Sequence, residues 1–163
     1  MKKVEKDILE VLKNNSRMSI KDISSFVDAP ESEVAEIIDA FEKNGTILQY
    51  TAVINERKLP KSKTRALVEV CISPEKGTGF ETIAKRISNN VHVVDLYLIA
   101  GQYDFLLVVE GNSIEEISAF VYDKLATMDN IRSTSTHFFM KKYKEKGIVF
   151  EDNNDQKRLA VSP

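Results

Sequence analysis

The sequence predicts an α+β protein in two parts, a helical head and a body in which one strand–helix–strand unit is used twice. Three observations carry that prediction. Apolar residues recur at helical spacing in three short segments before Gly45, and from Ala66 onward β-branched and apolar strand patterns alternate with helical ones. Between them, Glu56-Arg57-Lys58-Leu59-Pro60-Lys61-Ser62-Lys63 is charged and has no apolar period, as a hinge would. The expected division is residues 1–60 for the head with an extended linker, 61–148 for the body, and 149–163 for a flexible tail.

In the head, Val4, Ile8, Leu9 and Leu12 mark a first helix that closes at Asn14-Asn15-Ser16. Ser19 and Asp22 have the spacing of a capping box, which opens a second helix whose apolar face is Ile20, Ile23, Phe26 and Val27. Pro30 suits the first turn of a third helix, because the N–H it lacks would have no partner there. Val34, Ile37, Ile38 and Phe41 give that helix one apolar face, and Asn44-Gly45 stops it. Three short helices with a tight turn before the third form a helix-turn-helix, which would lay its third helix in the DNA major groove.

In the body, the strand from Ala66 to Ile72 leads to a helix marked by Phe80, Ile83, Ala84 and Ile87, and then to a strand from His92 to Ile99. The order repeats with Phe105 to Val109, a helix through Ile114, Ile117, Val121 and Leu125, and a strand from Ile131 to Met140. This βαββαβ order is that of the ferredoxin-like sandwich, with both helices on one face of an antiparallel sheet. Phe105 to Val109 is apolar at every position, although the helices can cover only one sheet face. A second copy is therefore expected to cover the other face, making the protein at least a homodimer.

Charge and composition narrow the function. With 23 basic and 25 acidic residues the net charge is −2, so any affinity for a polyanion must come from a local basic patch or from several heads together. From Asp28 to Glu42 there are six acidic residues and no basic one, so phosphate contacts would fall to Lys2, Lys3, Arg17, Lys21 and Lys43. Glutamate can still accept a hydrogen bond from cytosine N4, which permits base readout. The lone Cys71 forms no intramolecular disulfide and is expected as a small buried hydrophobe. No apolar run reaches the roughly 20 residues that span a bilayer, and the charged N-terminus does not lead into a signal-like segment. A cytoplasmic protein is expected, with no membrane partner. No nucleophile is paired with a base and no metal-ligand spacing appears, so neither enzyme, metal nor cofactor is expected.

The chain resembles the Lrp/AsnC, or feast/famine, transcription regulators over roughly residues 3–145. The resemblance rests on Asp7-Ile8-Leu9, on the bridge Gly45-x-Ile47-x-x-Tyr50-Thr51-Ala52 with its closing Asn55, and on Gly101-Gln102-Tyr103-Asp104 between the two repeats. It implies a winged helix-turn-helix that binds double-stranded DNA, a body that binds a small amino-acid effector, and dimers that assemble into octamers. That Ser32 and Glu33 would be the base contacts of the head is implied with it. It also implies an effector site near Gly101, Tyr103 and Asp104, where a carboxylate can pair with an ammonium group. An Asx turn at Asp104 and a positive φ at Gly101 are alternatives of equal weight. Thr134 and Thr136 are weaker candidates for the same lining. Relatives typically carry arginines or lysines on the third helix, where this chain carries acids. Two other readings remain: a sensor or assembly protein of the same fold with little DNA binding, and a siroheme-decarboxylase-like enzyme. The latter would need histidines, and His92 and His137 sit at strand positions where a structural imidazole is commoner.

Overall fold

The computed structural model describes residues 1–73 and 79–150, in two compact units that meet between Ile54 and Asn55. The first unit holds helices α1 (Lys3–Asn14), α2 (Ile20–Val27) and α3 (Glu31–Lys43). The Ser19 hydroxyl caps α2, accepting the Asp22 N–H at 3.1 Å, while the Asp22 carboxylate turns back to the hydroxyl itself at 2.6 Å. Half of the expected capping box is present, and the carboxylate half is spent on the side chain. Past the end of α3, Gly45 takes φ +75°, a conformation costly for a residue with a Cβ. The turn it permits brings the Ile47 N–H to the Phe41 carbonyl at 3.0 Å.

Ile8, Val11, Ile23 and Val34 form the buried centre of the head. Two residues expected on the apolar face of α2 lie outside it, Ile20 being exposed and Phe26 70% exposed. At about 100° per residue, Ile23 and Val27 point one way and Phe26 falls on the flank of their stripe. From Ile47 to Ile54 the bridge, expected to be extended, forms no helix or strand in the structure.

The second unit opens with a 3-10 turn, Glu56–Lys58, followed by β1 (Thr64–Ile72), α4 (Phe80–Ser88), β2 (Val93–Leu98), β3 (Phe105–Gly111), α5 (Ile114–Ala119) and β4 (Ile131–Phe138). The sheet order β2-β3-β1-β4, antiparallel at every pairing, is the ferredoxin-like arrangement. Alternation decides which side chains enter the core: Ala66, Val68, Val70 and Ile72 from β1 and Phe105, Leu107 and Val109 from β3 are buried under the helices. Helix α5 continues as a π-helical segment, Phe120–Leu125. That wider turn places Phe120, Val121 and Leu125 all in the core.

The opposite sheet face carries Leu67, Glu69 and Cys71 from β1 and Leu106 and Val108 from β3, all half-buried in the single chain. Cys71 is thus not the buried hydrophobe expected, because it occupies an outward position of the alternation. In β2 the pairing slips between Val93 and Asp95. The strand is therefore interrupted by a bulge, and Val94, Tyr97 and Leu98 are all more than half exposed.

A hairpin follows, β5 (Lys144–Glu145) with β6 (Ile148–Val149), turning through Lys146 and Gly147 at φ 45° and 84°. Two successive positive φ angles mark the tight turn whose twist suits a hairpin. Residues 149 and 150 belong to it, Phe150 N–H donating to the Tyr143 carbonyl at 2.9 Å. The remainder of the expected tail, residues 151–163, lies outside the described residues.

Candidate functional site

Asp104 ends the connection from β2 and enters β3 with every backbone group engaged. Its N–H donates to the Val70 carbonyl at 2.9 Å and its carbonyl accepts the Ile99 N–H at 2.8 Å. Its carboxylate Oδ2 accepts the Ile72 N–H at 2.8 Å, closing the last open rung beside β1. Oδ1 has no hydrogen bond among the described residues. The residue is therefore a strand-end cap with one carboxylate oxygen to spare. Tyr103 beside it is half-buried.

Gly101 departs from expectation in an informative way. Its φ is not positive, and a Cβ built on it would meet only Ile99 Cγ2 at 3.6 Å, an ordinary contact. Nothing among the described residues of the chain demands glycine there. Thr134 and Thr136 pair with Val70 and Val68 and so point toward the helices, half-buried. The register does not bring them to the side where Cys71 Sγ lies 3.6 Å from the Gln102 carbonyl.

In the head, Arg17, Lys21, Ser32, Glu33 and Lys43 are all exposed. Arg17 sits in the turn before α2 and Lys21 in the first turn of α2; Ser32 and Glu33 open α3, and Lys43 closes it about 16 Å away along the axis. Lys43 is paired with Asp39 one turn back. That ion pair raises the lysine pKa, first through the hydrogen bond and then through charge. The adjacent Glu42 carboxylate accepts a hydrogen bond from the Tyr50 hydroxyl at 2.8 Å. Loss of water around the phenol, then the Glu42 hydrogen bond and charge, push Tyr50 up to about 12. Two of the acids on α3 are thus engaged locally, while Glu31, Glu33 and Glu36 remain exposed without partners among the described residues. The spacing of Asp39 and Lys43 could have signalled their pairing, whereas nothing local links Tyr50 to Glu42.

The histidines do different things. His92 Nδ1 lies 3.1 Å from the Glu110 carbonyl and its ring rests on Phe120, the structural role expected. His137 is exposed on the outer sheet face, Nε2 3.2 Å from Ser135 Oγ and 3.6 Å from Glu69. Among the described residues no group of three or more His, Cys, Asp or Glu is placed to hold a metal ion, and no helix is long and apolar enough to cross a membrane.

Comparison with known proteins covers both halves. Residues 1–47 match the winged helix-turn-helix DNA-binding model and residues 65–149 the Lrp/AsnC ligand-binding domain. The HTH-type transcriptional regulator YugG of Bacillus subtilis is 43% identical over 160 residues, 98% of this chain and 96% of that protein. A proline dehydrogenase transcriptional activator of Rhizobium radiobacter is 28% identical over 86% of this chain and 90% of its own length. Among solved structures, a Neisseria meningitidis transcriptional regulator in complex with L-Met superposes with a TM-score of 0.71 at 23% identity, covering 89% of this chain and 93% of the other. Escherichia coli AsnC does so with a TM-score of 0.69 at 17% identity, covering 91% and 97%. With a DNA-binding head and a ligand-binding body in the family's order, the chain belongs to the Lrp/AsnC family of transcriptional regulators.

Proposed function

We propose that this regulator binds a small amino acid at the turn Gly101-Gln102-Tyr103-Asp104 and binds double-stranded DNA through several heads acting together, from a homodimer that assembles toward an octamer in the cytoplasm. The observation that carries the effector site is a glycine that the described residues of its own chain do not require: Gly101 has no positive φ and has room for a methyl group. An effector or a second copy pressed against that backbone explains it. Asp104 offers its second carboxylate oxygen to the effector's ammonium group, and turn N–H groups other than that of Asp104, which donates to Val70, hold the effector's carboxylate. Thr134 and Thr136 join the lining if the site reaches the helix side of β4. The L-Met complex of the Neisseria regulator supports an amino acid as the ligand class.

On the DNA side, Arg17 and Lys21 supply phosphate contacts, with Lys43 available once it leaves Asp39, and Ser32 and Glu33 read base edges from the start of α3. Ten acidic against seven basic residues in the head make a single head weak. Linked heads gain orders of magnitude from effective concentration alone.

The test is Gly101→Ala. The variant is expected to melt within about 1 °C of the parent, since the added methyl makes only ordinary contact, and to bind its amino acid at least about tenfold more weakly by calorimetry across an amino-acid panel. Equal affinity in the variant would sink the effector site.

A further inference from the structure

The hairpin of β5 and β6 sorts its charges. From Lys141 to Lys146 the sequence reads Lys-Lys-Tyr-Lys-Glu-Lys, four lysines against one glutamate. That glutamate is turned to the rest of the body: Glu145 Oε1 lies 3.3 Å from Arg65 Nη1, and its Oε2 accepts from Lys142 Nζ at 2.8 Å. Arg65 also holds Glu110 of β3 at 2.8 Å and Glu56 at 3.2 Å, and Lys142 reaches Glu56 at 3.6 Å. The five side chains of this node are about a quarter exposed, between 23% and 30%. Isolated surface pairs contribute little, but a half-buried network around one planar guanidinium holds geometry.

What the hairpin shows to solvent is cationic. Alternation along β5 sends Lys144 to the face opposite Glu145, and Lys144 is exposed. Lys146, also exposed, sits at φ 45° in the turn with Gly147 at the hairpin's tip. Lys141 Nζ lies 4.9 Å from the centre of the Tyr143 ring, and that tyrosine is 67% exposed. The head has the opposite balance, with ten acidic against seven basic residues over positions 1–54. A regulator whose DNA-reading unit is net negative gains from phosphate contacts made elsewhere, because such contacts supply affinity without regard to sequence.

We propose that the β5–β6 hairpin is a second DNA-contact surface, on which Lys144 and Lys146, with Lys141 and Tyr143 beside them, take phosphates of the duplex that the heads read. Ammonium and phenol groups both serve phosphate oxygens, and the contact carries no base readout. The Arg65 node is then the mount: it withdraws the one acid of the stretch and leaves the lysines to face the polyanion. The inference rests on DNA binding by the heads and goes beyond it by giving the body a share of the phosphate backbone.

The experiment compares the full chain with two double variants. Lys144→Gln/Lys146→Asn removes two charges, and asparagine before Gly147 suits the positive φ angles of the turn. Lys144→Arg/Lys146→Arg keeps both charges. Affinity is measured between about 50 and about 200 mM salt for a duplex that the parent selects from a random pool and for a scrambled duplex of the same length. The neutral variant is expected to lower the slope of log affinity against log salt by about one to two units per engaged hairpin, equally on both duplexes. The arginine variant is expected to keep the parent slope, and sedimentation and melting temperature to match the parent in both. An unchanged slope in the neutral variant overturns the DNA-contact surface. So does a loss that arginine fails to restore, since charge would not be its cause, and so does a loss that comes with smaller assemblies, which would make the hairpin an interface between copies. Arg17→Gln/Lys21→Gln tests the head separately: if it keeps the parent slope while the neutral hairpin variant loses it, the head assignment falls and the hairpin stands. A parent that binds neither duplex overturns both.

Discussion

The head and the body bury apolar surface on very different scales. Four side chains form the buried centre of the head, against thirteen in the body, where two strands and two helices meet. The small core leaves the head only a modest margin, since stability left after entropy is small even for whole domains. The body has margin to spare, and places half-exposed apolar residues, Leu106 and Val108, on its outer sheet face. The contrast is one of scale: the head's fold rests on few buried contacts and the body's on many.

Core truncation is the largest test of that contrast. Leu107 and Ile8 are both fully buried, and either change to alanine costs about 2–5 kcal/mol. Calorimetry of the full chain is expected to show Ile8→Ala removing the head's transition while the body still melts near its parent temperature, and Leu107→Ala lowering the body's transition. If Ile8→Ala shifted both transitions together, the two units would be one cooperative block and the contrast would fail.

Charge gives the second test, and a smaller effect. Asp39 holds Lys43 on the exposed face of α3, so Asp39→Asn is expected to release a cation and remove an anion where phosphates would lie. DNA affinity should rise, and the salt slope should steepen by about one unit per engaged head. Lys43→Ala should do little in the parent, where the lysine is already occupied, and should cancel the gain in the Asp39→Asn background. A gel-shift series over several salt concentrations reads both. A large loss from Lys43→Ala alone would mean that the ion pair opens on DNA without cost.

The sequence made most of the body legible and less of the head's chemistry. Helical spacing at Ile83, Ile87, Ile117 and Leu125 was a local signal, and each of these residues is buried; in β3 the unbroken apolar run could not say which alternate side chains enter the core. Position in the stripe was harder: Phe26 fits an apolar face on paper and lies on its flank, and Val11, not singled out, is buried. The Lys146-Gly147 turn was a readable hairpin signal hidden beside a polar terminus. At the candidate effector turn, the sequence could name Gly101 and Asp104 but not decide between turn chemistry and ligand, because that depends on φ and on the Ile72 N–H. The Arg65 node joins residues up to 80 positions apart, so no local pattern announces it.

The last test concerns two contacts, Glu145 in the body and Tyr50 in the head, which answer to opposite ends of the pH scale. On the body side, the hydrogen bond and charge of Lys142, and then Arg65, hold Glu145 below its ordinary range. A depressed carboxylate contributes fully above its unfolded value and loses that contribution as pH falls, so the pairs of Glu145 with Lys142 and Arg65 weaken below about pH 4. On the head side, Tyr50 is raised to about 12. A raised phenol contributes fully below its unfolded value of about 10 and loses that contribution as pH climbs toward 12. Tyr50→Phe is accordingly expected to cost under about 1 kcal/mol at neutral pH, the size of one exposed hydrogen bond. Its signature is in the titration: the phenolate absorbance of the parent minus that of the variant should isolate one group ionising near pH 12. A difference curve centred near pH 10 would show that Tyr50 leaves Glu42 in solution.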